Sequence, residues 1–568
     1  MKKRWKIIPE DKDLQAVLER ELDVLPLTAQ LLINRGLRSP GPALSFFRPD
    51  IAELHDPFLM ADMDRATERI ARAVRDHERI AVYGDYDVDG TTATALLSLF
   101  FREIGVDALC HIPDRKTEGY GLNAEALKGL AAQGAKVAIT VDCGISNHEE
   151  ALAASSLGID LIITDHHEVP PEGPPTACAV LNPKREDCAF PFKGLAGVGV
   201  AFNLLMALRA VLRAEPWYTG RSPNLKRYLD LVSIGTVADV VPLVDENRVF
   251  VRYGLKELER TARPGLQALK EVSGLEPGPV GAGQVAFRLA PRINAAGRLS
   301  RASAALKLLT SDSPSEARAL ACVLDAENRS RQKIEEKILT EALAMAGEFE
   351  DNRGIVLSSG HWHPGVIGIV ASRLVDRFCK PTVMLAVDGD VAKGSARGVK
   401  AFDMLGGLRA CSGLLERFGG HRAAAGLTLS SARLRAFREE FIRHVDSTLT
   451  DDDLTPEIEL DAVVTLDAVT GRLVSEIEAL APFGCANREP VLCIEDAHIT
   501  DARVVGANHL KFNVNQNGST RGGIAFGLAG LHPIGGGGYA LAFSPYMDEW
   551  KGTRSLRLRV RDVRPRAG

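Results

Sequence analysis

The sequence predicts an α/β chain in which a parallel-sheet domain and a second, smaller α/β domain are joined by a long helix and followed by a small β-rich domain. Three observations predict it. Short, continuously apolar runs alternate with helical stretches from Arg79 onward and again from Gly354, and strands without polar alternation belong in a sheet covered on both faces. Between these regions Ser313-Pro314 places a cap residue before a proline at the first helical position, and few breakers follow before Gly347. From about residue 456, short runs punctuated by Gly and Asn turns read as strands.

Taken in order, residues 1–60 read as short helices and turns, a lead-in without evident chemistry. Ile80-Ala81-Val82-Tyr83 is the first strand, followed by a Gly/Asp loop and a helix over 91–101. Residues 137–141, 161–163 and 179–181 are further strands, the last stopped by Asn182-Pro183. Residues 225–310 read mostly helical, with Gly and Pro breaks near 264–283. In the second unit, strands at 355–357 and 381–387 flank a helix that follows Pro364. Another helix is expected to end at Phe418, with Gly419-Gly420-His421 as a turn, and the acidic stretch 446–453 as a linker. The expected domains are therefore 61–312, a connector helix 313–347, 348–450 and 456–568.

A chain of 568 residues exceeds one compact core and suggests about three or four domains. The net charge of −5 does not mark a nucleic-acid binder, yet a local basic stripe can hide within it. The nine cysteines are scattered without C-x-x-C spacing, so neither a zinc knuckle nor a disulfide framework is expected, and a reducing cytoplasm fits best. The basic start is followed by Ile7-Ile8-Pro9-Glu10-Asp11 rather than an apolar run. No stretch reads as a membrane span.

Chemistry concentrates at the strand ends. Asp85, Asp87 and Asp89 leave the first strand, Asp142 ends the second, and Asp165-His166-His167 ends the third; in open α/β sheets ligands bind beyond those carboxyl ends. Asp239, from the helical region, adds a further carboxylate. Each segment alone also fits a capped turn. Together they match phosphodiester hydrolysis, in which two divalent ions about 3.5–4 Å apart neutralise phosphoryl oxygens and activate water. Oxygen-rich ligands with one or two imidazoles suit Mn²⁺ or Mg²⁺ better than Zn²⁺.

Other segments suggest anion contacts. Flanking glycines allow His421 to approach a phosphate closely, the alternative being a plain exposed turn. His361-Trp362-His363 precedes a helix start, and Trp362 fits either base stacking or packing. Residues 551–568 hold seven Lys/Arg against one acid. There Arg557, Arg559 and Arg561 alternate with Leu556, Leu558 and Val560, which puts the arginines on one face of a strand, a face that suits the phosphates of single-stranded nucleic acid, the alternative being a plain solvated face.

The segments Asp85-Tyr86-Asp87-Val88-Asp89-Gly90, Val141-Asp142-Cys143-Gly144, Asp165-His166-His167 and Ala238-Asp239-Val240 resemble, in order, the four motifs of the DHH phosphoesterase superfamily. Gly419-Gly420-His421 with Ala424-Ala425-Gly426 resembles the loop of its second (DHHA1) domain. Pro113-Asp114-Arg115, Glu118-Gly119-Tyr120-Gly121, residues 292–298 and the β-rich C-terminus are most similar to the bacterial single-strand-specific 5′→3′ exonucleases of that superfamily. The resemblance implies an OB-fold barrel at the C-terminus. It implies Asp87, Asp89, Asp142, His166 and Asp239 as metal ligands, with His167 contacting the scissile phosphate or a metal, and Asp85 as a ligand or an orienter. It places Arg115, Arg298, Ser395 and Arg397 on a 5′-terminal phosphate, and Arg292, Gly419, Gly420 and His421 on the substrate. It further implies release of 5′-mononucleotides from single-stranded DNA, a role in recombination and repair, a helicase and a single-strand-binding protein as candidate partners, and a cytoplasmic monomer. Two alternatives stay open: a phosphatase of short oligonucleotides or nucleotides, and an inactive scaffold that binds single strands.

Overall fold

The computed structural model describes residues 3–114, 118–119, 121–299, 303–550 and 552–566, with the backbone alone at 296–299 and 550. The chain divides into two compact units, a larger one built mainly on residues 6–294 and the residues from 459 onward, and a smaller one on 322–458.

The larger unit contains a five-stranded sheet of β1 (Arg79–Gly84), β2 (Leu109–His111), β3 (Ala135–Val141), β4 (Asp160–Thr164) and β5 (Ala179–Leu181). The order is β2-β1-β3-β4-β5, with every pairing parallel. Ile80, Ala81, Val82 and Tyr83 are all buried, because helices cover both faces. One face packs on Leu127, Leu130, Ile145 and Ala151. The other carries the helices Val88–Glu103, Gly197–Ala214 and Met63–Arg75. Helix Gly197–Ala214 corrects one expectation: by length and composition it is apolar enough to cross a membrane, although two-thirds of it (67%) is buried within the fold. Its apolarity fits a helix with neighbours on several sides.

The same unit holds a barrel. Strands β12 (Leu492–Val505), β13 (His509–Gln516), β14 (Ser519–Phe526), β15 (Gly536–Trp550) and β16 (Thr553–Pro565) pair in the order β12-β13-β14-β16-β15, and β15 returns to β12; β11 (Ala462–Val463) adds to β12. Helices within residues 12–47, read from sequence as part of a lead-in, prove to belong to this core. Leu18, Leu22, Leu31, Leu32, Phe46 and Phe47 pack in one cluster with Leu492, Phe512, Phe543 and Leu558. Arg248 reinforces the junction: its guanidinium lies 3.9 Å from the Phe46 ring centroid and donates to the Phe46 and Leu480 carbonyls at 2.8 Å.

In the smaller unit, β6 (Ile355–Ser359), β7 (Thr382–Asp388), β8 (Val391–Arg397), β9 (Arg417–Gly420) and β10 (Ala424–Ser430) form a sheet ordered β9-β10-β8-β7-β6, parallel only between β6 and β7. The long helix Pro314–Ala346 begins where the cap signal places it, with Ser313 O accepting from Ala317 N–H at 2.9 Å. The stretch before Gly419 differs from expectation. The helix Met404–Ala410 stops early, Arg417–Gly420 is a strand, and the chain reverses at residues 421–423, where His421 N–H donates to Ala424 O at 2.8 Å. Gly420 has φ +142°, and a Cβ there would lie 2.5 Å from Ala424 O, so glycine is needed for the reversal.

Candidate metal centre

The order β1-β3-β4 brings three strand ends side by side, which is why segments far apart in sequence meet. Asp87 caps helix Val88–Glu103, its Oδ1 accepting from Gly90 N–H at 3.0 Å. A Cβ at Gly90 would lie 2.5 Å from the Asp85 backbone nitrogen, so the loop folds this tightly only over glycine. Asp89 faces the start of helix Gly197–Ala214 and accepts from Gly197 N–H at 2.6 Å and Val198 N–H at 2.9 Å, a favourable end for a carboxylate. Asp239 is the C-cap of helix Leu229–Ala238.

His166 Nε2 lies 3.1 Å from Asp142 Oδ1, 3.5 Å from Asp239 Oδ2 and 4.0 Å from Asp89 Oδ2. His166 Nε2, Asp142 Oδ1 and Asp239 Oδ2 are buried and have no hydrogen-bond partner among the described residues. Orphaned buried polar atoms cost about 1–3 kcal/mol each, so their convergence calls for a cation. Three groups have ligand atoms within 4.8 Å of one another: Asp142, His166 and His167; Asp89, His166 and Asp239; and Asp85, Asp87 and Asp142. Asp142 belongs to two of these groups, and a carboxylate, with two oxygens, can serve two adjacent ions, whereas His166 Nε2 has one lone pair and can serve one. The donor set, hard oxygens with imidazole, fits Mn²⁺ or Mg²⁺.

Electrostatics agree. Burial first, then the carboxylates around it, push Asp89 and Asp142 well above the carboxylate range. Burial and Asp87 raise Asp239 to about 7. Burial, then the neighbouring His167, lower His166 to about 4, so at neutral pH its ring offers a lone pair, and its approach to Asp142 is no ion pair. For His167 burial opposes charge, but the 2.7 Å hydrogen bond from Nδ1 to Asp165 and the charge of Asp165 outweigh it and raise the ring to about 9. Asp165 is thus an orienter. It also accepts from the backbone N–H groups of Ile145, His166 and His167.

Sequence reasoning missed two glycines and one amide. A Cβ at Gly197 would lie 2.7 Å from Asp142 Oδ1, and one at Gly235 2.8 Å from Asp89 Oδ1. Asn182 Nδ2 donates to His167 O at 2.9 Å, although Asn182-Pro183 read only as a strand stop. The Gly197-Val198-Gly199 start of an apolar helix was the available signal.

In the smaller unit, Ser395 and Arg397 lie on β8 with Arg397 Nη1 donating to Ser395 Oγ at 3.1 Å and to Ala396 O at 2.8 Å. Arg397 is partly buried with no acid partner among the described residues, and burial lowers its pKa. Ser395 pairs with Gly426, which pairs with Gly419; a Cβ on either glycine would meet nothing within 4 Å. A Cβ on Gly368, in the first turn of helix Ile367–Phe378, would lie 2.7 Å from Ser395 Oγ and 3.1 Å from Arg397 Nη2. These features leave a glycine-floored shelf with a hydroxyl, a guanidinium and a helix N-terminus, groups that suit a phosphate. His421 is exposed at the reversal beside it.

The remaining expected residues fare differently. Arg115 lies outside the described residues, as does the side chain of Arg298. Arg292 donates to Arg288 O at 2.6 Å. Trp362 is packed at 4% exposure and donates to Glu341 at 2.9 Å, so it is no stacking platform. On β16, Leu558 and Val560 point into the barrel core. The arginines alternate with them but are paired: Arg557 with Asp548 at 2.8 Å, Arg559 with Glu489 at 3.1 Å, and Arg561 with the same Glu489. The outer face holds further cations in register with these, since Arg503 pairs across to Lys511, Lys511 to Ile524, and Ile524 to Arg559.

Comparison with known proteins gives three family matches: the DHH family N-terminal domain over 79–236, the DHHA1 domain over 351–447 and the RecJ OB domain over 460–562. The single-stranded-DNA-specific exonuclease RecJ of Bacillus subtilis is 39% identical over 99% of this chain and 71% of its own length. Its namesake from Escherichia coli is 36% identical over 100% of both chains. The crystal structure of RecJ in complex with Mn²⁺ from Thermus thermophilus superposes with a TM-score of 0.85 at 31% identity, covering 100% of this chain and 80% of that one. The chain belongs to the RecJ family.

Proposed function

We propose that this chain is a metal-dependent exonuclease of single-stranded DNA that works from the 5′ end and releases 5′-mononucleotides. The carrying observation is the convergence of buried His166 Nε2, Asp142 Oδ1 and Asp239 Oδ2 on one point without hydrogen-bond partners. Asp85, Asp87, Asp89, Asp142, His166 and Asp239 would hold Mn²⁺ or Mg²⁺. The ions, when bound, supply charge compensation at the phosphoryl oxygens and an activated water. His167, held by Asp165 through Nδ1, would contact the scissile phosphate or a metal. Gly197 and Gly235 keep side chains away from the carboxylates.

DNA as the substrate is supported by the names of the relatives and by the OB-domain match. The 5′ polarity rests on the shelf of Ser395, Arg397, Gly419 and Gly420, with Arg115, Arg292, Arg298 and His421 as further substrate contacts. The work divides among 61–312 for chemistry, 348–450 for the strand end and 456–568 for strand capture, with 313–347 as connector. A cytoplasmic monomer acting in recombination and repair, supplied with single strands by a helicase and a single-strand-binding protein, fits this activity. Digestion of single strands labelled at either end, with Mn²⁺ present, tests the polarity. The 5′ label is expected to be released first; release of the 3′ label first, or preference for a dinucleotide over a long strand, reverses the reading.

Strand capture by the barrel carries its own test. Arg557, Arg559 and Arg561 extend the basic face, but their acid partners reduce their net charge. Arg503 and Lys511 make no ion pair among the described residues and oppose each other across β12 and β13. Each strand phosphate that the protein no longer neutralises lowers the salt slope of binding by roughly 0.7. Arg503→Ala with Lys511→Ala is therefore expected to flatten the slope for a long single strand by about 1.4, and more than Arg559→Ala does. Fluorescence anisotropy across a salt series measures it.

A further inference from the structure

Phe287 is the most exposed large apolar side chain among the described residues, at 82%. It sits in a single π-helical turn, Val285–Leu289, between the short helix Ala282–Gln284 and the helix Ala290–Leu299. Val285 and Leu289, which bound the turn, are fully buried, and the turn packs on helix Leu229–Ala238, whose C-cap is Asp239. A π turn is rare and concentrates at functional sites. Here both ends are anchored in the core while Phe287 and Arg288 project into water. Leaving the ring in solvent forgoes the stabilisation that its burial provides, so the fold gains nothing evident from phenylalanine at this position.

The surroundings indicate what covers the ring. The exposed residues beside it along the chain are Gly281, Gly283 and Arg288, none of them a large apolar side chain. Arg288 is held in place by donation from Nη1 to Gly274 O at 3.0 Å, and Arg292 follows one turn later. A lone aromatic ring among arginines matches the faces of nucleobases and the charge of their backbone. We infer that Phe287 stacks on a base of the single-stranded substrate, from a turn packed against the helix that carries Asp239 at its C-cap. This rests on the function proposed above and adds to it a contact outside the metal centre, the shelf and the barrel.

The test uses the full chain. In EDTA, Phe287→Trp is titrated with a short 5′-phosphorylated oligothymidine, with binding followed independently by anisotropy. Emission is expected to change saturably beyond the change in the parent protein, as an indole does on stacking. With Mn²⁺, Phe287→Ala is expected to raise KM for the same strand about tenfold, with the loss in KM rather than kcat, and Phe287→Tyr to restore it. A tryptophan silent at saturating DNA, or a KM equal for Phe287→Ala and the parent, overturns the inference, as does an altered sedimentation coefficient as the sole effect of Phe287→Ala. A responsive Phe287→Trp, with the parent protein cleaving no DNA, would instead fail the exonuclease reading and leave the stacking contact standing.

Discussion

Asp142→Asn is expected to lower nuclease turnover by about 10³-fold or more and, in the same protein freed of metal, to raise the melting temperature. The two effects have one cause. Asp142 Oδ1 lies 3.1 Å from His166 Nε2 and is buried without a hydrogen-bond partner among the described residues. Burial and the nearby Asp89 and Asp87 disfavour its charged form. That arrangement is costly in the empty fold and is repaid when a divalent cation neutralises it. The amide keeps the shape of the carboxylate, removes the repulsion and can donate to the neighbouring lone pairs, a gain of about 1 kcal/mol. It cannot neutralise a divalent ion, so the several kcal/mol of charge compensation that metal provides in the reaction is lost. Thermal melts in EDTA and in Mn²⁺, beside turnover on a labelled single strand, give both signs. The parent protein should gain about 2.7 kcal/mol from metal at one hundred times its Kd, and the variant much less. A variant that melts lower in EDTA and still turns over would make Asp142 a structural residue.

The clustering of these acids and histidines was legible because it is local to strand ends. Ile80-Ala81-Val82-Tyr83 and its counterparts read as buried parallel strands, and the acids and histidines that follow them had to meet at one edge. The helix Pro314–Ala346 was legible from its Ser313-Pro314 start and from the scarcity of breakers before Gly347. What escaped depends on partners distant in sequence. The helices of residues 12–47 look like a lead-in until the barrel residues beyond 460 supply their core. Strand Arg417–Gly420 has too little alternation to announce itself, and it exists because β10 pairs with it. Gly197 and Gly235 matter through the Asp142 and Asp89 side chains that crowd them. The basic strand was read correctly in its alternation and incompletely in its charge, since Glu489, which holds both Arg559 and Arg561, lies far upstream.

Selection of the 5′ end should fail when the fork on the shelf is removed. Arg397→Met is expected to reduce the preference for a 5′-phosphorylated over a 5′-hydroxyl strand by about ten- to one-hundredfold, the worth of charge-assisted hydrogen bonds at roughly 1.5–3 kcal/mol. Arg397 makes no ion pair among the described residues; its guanidinium is steadied only by Ser395 Oγ and Ala396 O. Burial without a counter-charge lowers its pKa, so the fold bears a cost that a bound phosphate would offset. Methionine keeps the length of the side chain and adds no buried charge, so thermal stability should hold or rise. Arg397→Lys keeps the charge but not the planar pair of donors, and should recover only part of the preference. The comparison is kcat/KM on matched strands with and without the 5′-phosphate. Loss confined to the phosphorylated strand places the terminal phosphate on the shelf. Equal loss on both strands would mean that Arg397 grips the backbone at large, and the 5′ specificity would then have to come from elsewhere in the protein.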